Sequence, residues 1–207
     1  FNSDDWFQWS EGRVSLGKRN AKNTSLRDIH TYGISIGADR IKDEDKDTMY
    51  GYVFQYGNDN VDIGSQGTRL DTDSYSLAFY GTKIREDDFF TDAIIGLSLL
   101  DTDHMRVTHG NTLKGDRDGQ QIFGSIYFGK RLHKQKHNLS PGIKLDLGYT
   151  KLKAFREKTT LGSNLSDALV YRDQNIKSAL TTIGVLFDHT HKPVSYTHLT
   201  LPTIPGV

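Results

Sequence analysis

Leu139-Ser140-Pro141-Gly142-Ile143-Lys144-Leu145-Asp146-Leu147-Gly148-Tyr149 is the stretch that decides the fold. Every odd-numbered residue in it is apolar or aromatic, and every even-numbered one is small or polar. Alternation of this kind is the period of an extended strand, whose side chains point to opposite faces in turn. The polar face carries Lys144 and Asp146, which the inner face of a soluble β-sandwich would exclude. If the apolar face were a sandwich core instead, the many glycines of the opposite face would have no purpose. A membrane β-barrel satisfies both faces at once, because its lumen accepts small and polar residues while its lipid face takes the apolar set.

The same pattern recurs from residue 5 to residue 188. Ile34 and Ile36 alternate with Gly33, Ser35 and Gly37; Tyr52 and Phe54 with Gly51 and Gln55; Leu77 and Phe79 with Ser76 and Ala78. Ile95 and Leu97 alternate with Ile94, Gly96 and Ser98, a less clean case, and Ile122, Ile126 and Phe128 stand opposite Gln121, Ser125 and Tyr127. Thr181, Ile183, Val185 and Phe187 oppose Ser178, Thr182 and Gly184. A first segment, from Trp6 to about Gly17, is amphipathic and aromatic, but its faces are not assignable from the residues alone. The expectation is an all-β fold, an antiparallel transmembrane β-barrel with about eight strands present. Ile34, Ile36, Tyr52, Phe54, Leu77, Phe79, Ile95, Leu97, Ile143, Leu145 and Leu147 are its lipid-facing candidates. Ser140, Gly142, Lys144, Asp146 and Gly148 are its lumen-facing candidates. Tyr50, Phe89, Phe90, Tyr149 and Phe187 lie near strand ends, where interfacial aromatic girdles sit.

Composition agrees. The 207 residues hold 26 basic and 26 acidic side chains, a balance unlike that of a dedicated nucleic-acid binder. With no cysteine, disulfides and cysteine-ligated metals are excluded. The mean hydropathy of -0.57 is what a barrel with a wet lumen averages to. No apolar run is long enough for a transmembrane helix. Connections at about 19–27, 62–70, 103–115 and 156–172 read as long and polar. Those at about 40–47, 84–88 and 132–138 read as shorter and strongly charged. Outer-membrane barrels place long loops outside the cell and short turns in the periplasm.

Residues 193–207 stand apart, with three of the four prolines and none of the formal charges. The string Val194-Ser195-Tyr196-Thr197-His198-Leu199-Thr200-Leu201-Pro202-Thr203 resembles a translated sequencing adapter. The domain is therefore expected over 1–192, with 193–207 an artefactual or disordered tail.

Several motifs resemble those of one known family, the C-terminal translocator barrel of bacterial autotransporters (type V secretion). Leu70-Asp71-Thr72-Asp73-Ser74-Tyr75-Ser76-Leu77-Ala78-Phe79-Tyr80-Gly81 is similar to that family's fourth strand. Tyr32 to Arg40 resembles its second, Tyr50 to Gly57 its third, Asp92 with Gly96 its fifth, Gln121 to Phe123 followed by Phe128-Gly129 its sixth, and Leu139-Ser140-Pro141 the start of its seventh. The resemblance implies a twelve-stranded barrel, of which this chain is a truncated piece. It implies a non-enzymatic role: anchoring an N-terminal passenger domain in the Gram-negative outer membrane and helping to export it to the cell surface. Its implied partners are outer-membrane lipid, the passenger, the barrel-assembly machinery and periplasmic chaperones. No cofactor, nucleic acid or metal is expected. The alternative is a porin-like or adhesin-like barrel closed by eight strands.

Other candidate sites are weaker. His104 with Asp101 and Asp103 suggests a metal or a base, as do His133 with His137 and His189 with His191, but none has enough convergent ligands. Asp43, Glu44, Asp45 and Asp47 lack the spacing of a calcium loop and read as a hydrated turn. No nucleophile elbow appears.

Overall fold

The computed structural model describes residues 6–21, 24–42, 45–108, 110–134, 137–159 and 167–189. Eight long strands form one antiparallel meander: β1 (Phe7–Ala21), β2 (Thr24–Lys42), β3 (Asp45–Ile63), β4 (Thr68–Ile84), β5 (Phe89–Thr108), β6 (Asn111–Lys130), β8 (His137–Leu152) and β12 (Gln174–His189). Four short strands decorate it: β7 (Leu132–Lys134), β9 (Phe155–Arg156), β10 (Lys158–Thr159) and β11 (Val170–Tyr171). Each long strand pairs with its neighbour in the sheet order, β1-β2-β3-β4-β5-β6-β8-β12. β1 and β12 are the two ends of that order, and among the described residues they do not pair with each other. The expected tail, 193–207, lies outside the described residues.

The long strands run to as many as 20 residues, where about 9–11 suffice to cross a bilayer. Much of what the sequence suggests as long loops is in fact strand. Asp103 to Thr108 pairs in unbroken register with Asn111 to Asp116. Ile63 opposes Thr68 across a four-residue turn in which Gly64 and Gly67 take positive φ (72° and 87°). The described residues of the expected loops at 19–27, 62–70 and 103–115 are therefore mostly strand overhang, and at 64–67 glycine's left-handed conformation permits the tight turn. Only the connection between β8 and β12 is long. The short charged connection at 85–88 is as expected; Asp88 takes φ 62° there, and its N–H donates to Arg85 O at 3.0 Å.

Register shows how the sheet sits. Val14 on β1 opposes Tyr32 on β2, an apolar pair. The same row continues as Asn58, Asp73, Asp101 and Asp118 on β3 to β6, and so has become polar. Ile183 on β12 opposes Ile143 on β8 and then Phe128 on β6. Followed back, that row becomes Thr91, Lys83 and Thr48. On β3 the two rows cross at Asn58 and Thr48, ten residues apart. The apolar belt thus slides about 33 Å along the strands while crossing seven inter-strand gaps, about 34 Å in all. A belt inclined at about 45° to its strands is what tilted strands need if their apolar band is to stay level.

Candidate functional site

The eleven apolar candidates from Ile34 to Leu147 share one face, each between 37% and 62% exposed. Tyr50, Phe89, Tyr149 and Phe187 extend that face. Phe90 does not, contrary to the girdle expected from its position. It lies on the polar face above Gly129, its ring 5.4 Å from that of Tyr127 and 5.4 Å from the Arg131 guanidinium. Alternation places Phe89 and Phe90 on opposite faces, and only the bare backbone of Gly129 seats the second ring.

The polar face is knit by hydrogen bonds between strands. Trp9 Nε1 donates to Tyr80 Oη at 2.8 Å, and Tyr80 donates in turn to Asp39 at 2.7 Å. The first segment's faces are thereby assigned, with Trp9 on the polar side and Val14 and Leu16 on the apolar side. Ser76 and Ser98 share a bond of 2.7 Å, Thr82 donates to Asp92 at 2.8 Å, and Gln121 donates to Thr150 at 2.9 Å. Lys144 Nζ stands 2.9 Å from Asp146 Oδ1. Of these groups Tyr80, Thr82, Asp92 and Lys144 border a hollow of about 540 Å3, which Ser125 and Tyr127 also line. Gly142 is a steric necessity, because a Cβ there would overlap the Tyr127 ring. Ser140 is buried and Gly148 accepts a hydroxyl from Ser178. Ser140, Gly142, Lys144, Asp146 and Gly148 alternate along β8 with its exposed apolar residues, and Lys144 is the one of the five that borders this hollow.

At one end of this face lies a cluster that local sequence does not reveal. After Leu152 the chain keeps to the edge of β6, Lys153 N–H donating to Asp118 O at 2.9 Å, before the hairpin bends in over the polar face. β10 pairs with the edge of β6 (Lys158 opposite Lys114, Thr159 opposite Leu113), and β9 pairs with β11. Glu157 is 1% exposed and takes both donors of the Arg106 fork, at 2.8 and 2.6 Å. It also accepts Leu169 N–H at 2.9 Å. Arg106 further donates to Asp167 O at 2.6 Å, and Asn111 to the Asp167 carboxylate at 2.8 Å. Phe155 and Tyr171 stack with centroids 4.5 Å apart, and the His104 ring meets both edge-on. Arg117 lies over Phe155 and donates to Lys153 O, Gln174 Oε1 and Arg172 O.

His104 therefore faces inward, away from Asp101 and Asp103. Those two point outward in a grid completed by Asp71 and Asp116 in one row and Asp73 and Asp118 in the next. Burial, then repulsion from Asp116, Asp101 and Asp71, pushes the Asp103 carboxyl up. Among the described residues no group of three or more His, Cys, Asp or Glu is arranged to hold a metal. Asp43, Glu44 and His191, and the side chains of Asp45, His133, His137 and His189, lie outside the described part.

Titration of the cluster has a definite sign. The Arg106 hydrogen bonds hold the Glu157 carboxyl below its ordinary 4.5, against the opposing effect of burial. Burial, helped by Arg106 and Arg117, holds His104 below 6.5 despite the nearby Glu157. Both groups bind protons more readily when the connection is undocked. The stability they contribute is complete above about pH 6.5 and is lost as pH falls, first through His104 and then through Glu157. Amide exchange at Leu169 and Glu157, corrected for intrinsic rates, is expected to lose protection on acidification below about pH 6.5. A protection factor flat from pH 7 to pH 4 would contradict this.

An open antiparallel meander with an inclined apolar belt on one face and a hydrogen-bonded polar hollow on the other is a sector of a membrane β-barrel wall. The family model "Autotransporter beta-domain" matches residues 6–201, and the chain belongs to that family. Its fold is similar to the translocator domain of autotransporter NalP from Neisseria meningitidis, with a TM-score of 0.71 at 14% identity over 87% of this chain. The chain spans 60% of that translocator chain. No curated protein sequence matches it. The family is one of transporter barrels rather than enzymes, and it implies the Gram-negative outer membrane, a passenger domain and type V secretion.

Proposed function

We propose that this chain forms part of the wall of a translocator barrel that anchors a passenger domain and helps carry it to the cell surface. In this reading Ile34, Ile36, Tyr52, Phe54, Leu77, Phe79, Ile95, Leu97, Ile143, Leu145 and Leu147 meet lipid. Ser140, Gly142, Lys144, Asp146 and Gly148 line the passage. The inclined apolar belt is the observation that carries it, because a soluble sheet has no reason to keep an apolar band level across tilted strands. Lipid offers no partner to a free backbone N–H or C=O, so a sheet in it must close. Among the described residues β1 and β12 do not pair with each other, as they would in a barrel closed by these eight strands. That favours the larger translocator barrel over a porin-like or adhesin-like barrel closed by these eight strands. Periplasmic chaperones and the barrel-assembly machinery would receive such a chain before it closes, since its open edges are aggregation-prone.

The test uses cells producing the complete protein. The passenger should be accessible to protease added outside, and deletion of the barrel should leave it protected. A passenger displayed equally well without the barrel would sink the proposal.

A further inference from the structure

The connection between β8 and β12 departs from the other hairpins at its end of the sheet. The β5–β6 hairpin continues in register to Thr108 and Asn111. The β8–β12 hairpin keeps its register at first, Phe155 opposing Tyr171 as Leu152 opposes Gln174, but its outer part bends in over the polar face, where Asp167 meets Arg106 and Asn111. Leu113 and Glu157 are the largest fully buried side chains among the described residues, and both belong to this junction. Elsewhere the described residues bury only small side chains such as Ala38, Ala78, Ser98 and Ser140, so the large buried ones sit at the rim. Phe155 rests on Gly115, where an added Cβ would approach the ring to 2.5 Å. Beneath the stack of Phe155 and Tyr171 is a hollow of about 410 Å3, walled by Leu70, Leu100, Leu152 and Arg117.

We propose that residues 155–159 and 167–171 form a fixed constriction at the mouth of the passage, and that the Arg106–Glu157 pair sets its bore. This rests on the reading above that the polar face lines a lumen. A straight strand overhang merely lengthens a barrel wall, whereas a hairpin bent in over the wall's inner face, as Asp167 is over Arg106 and Asn111, takes cross-section from the opening. The chemistry of the junction is that of a permanent fixture. The carboxylate is satisfied by two charge-assisted bonds and a backbone N–H, and the guanidinium by the carboxylate and a carbonyl. The arms are joined to each other by Glu157 N–H donating to Leu169 O at 3.0 Å. What passes is then selected by size at this rim, before it reaches the wider hollow around Lys144.

The complete protein in planar lipid bilayers tests this by single-channel conductance. Lys114 and Lys158 are directly opposed, a spacing of about 4.5–5.5 Å between Cα atoms that a disulfide can bridge. This chain contains no cysteine, so K114C/K158C gives one defined cross-link. The cross-link should form without changing the conductance. Glu157→Gln should raise conductance by about twofold or more by freeing the arms. Oxidising the cross-link in that variant should restore the lower value, and reduction should release it. Phe155→Ala, which leaves the ion pair intact, should also raise it. Failure to cross-link, or equal conductance in Glu157→Gln, Phe155→Ala and the parent, overturns the constriction. A protein that cross-links but passes no current in any form overturns the lumen reading instead.

Discussion

Leu97→Arg is expected to cost about 2–4 kcal/mol of folding free energy in a lipid bilayer, the penalty of a cation on the lipid face near the midplane. Leu97 opposes Leu77 on one side and Ile122 on the other, with Ile95 and Leu99 before and after it on its own face. It is 62% exposed, so protein supplies little of its surroundings. An arginine there has no carboxylate within the belt. It must bend toward an interface past apolar neighbours or draw water into the hydrocarbon. Gln55→Arg is the control, since Gln55 stands on the polar face opposite Ser35 and Ser76. There the cation meets water, and the cost should stay below about 1 kcal/mol. Urea titration of folding into phospholipid vesicles measures both. Equal losses in the two variants would show that the faces are assigned wrongly, and a larger loss for Gln55→Arg would show them reversed.

The faces were legible because alternation is a local property. Ile143 and Lys144 sort themselves whatever pairs beside them, and register then only aligns one strand with the next. Strand ends were not legible in the same way. The stretch 103–115 is polar and reads as a loop, yet its backbone stays paired as far as Thr108 and Asn111. Above the belt the outward side chains are free to be polar, so the hydrophobic signal disappears while the hydrogen-bond ladder continues. Trp9 and Phe90 were hidden for another reason. Both rest on glycines of a neighbouring strand, Gly37 and Gly129, and no property of the residues beside them in sequence reports that seat. Glu157 is the extreme case. Within Arg156-Glu157-Lys158 it reads as one charge of a solvated loop, while its partners His104 and Arg106 stand more than fifty residues earlier. Only the inward bend of the β8–β12 hairpin over the polar face brings them together.

That arrangement leads to the second large effect. Arg106→Met should cost the docked connection about 3–5 kcal/mol, because it leaves the Glu157 carboxylate buried with no counter-charge. Leu169 N–H remains as a donor, but the two bonds from the guanidinium and the anchor to Asp167 O are lost. The whole barrel need not register this loss. A penalty of that size can be avoided by undocking residues 155–159 and 167–171 into water, so the apparent cost is capped at the free energy of undocking. The effect should therefore appear as lost amide protection at Glu157 and Leu169, with protection in β5 at Ser98 and Leu99 little changed. Arg106→Met combined with Glu157→Leu removes both charges and fills the site with apolar side chains. Replacing a buried pair in this way is often neutral or better, so the double variant should regain most of the protection. The charge imbalance, rather than lost packing, would then be the cause of the single variant's defect. A double variant as exposed as Arg106→Met alone would mean that the pair's geometry holds the connection and that apolar contact cannot replace it.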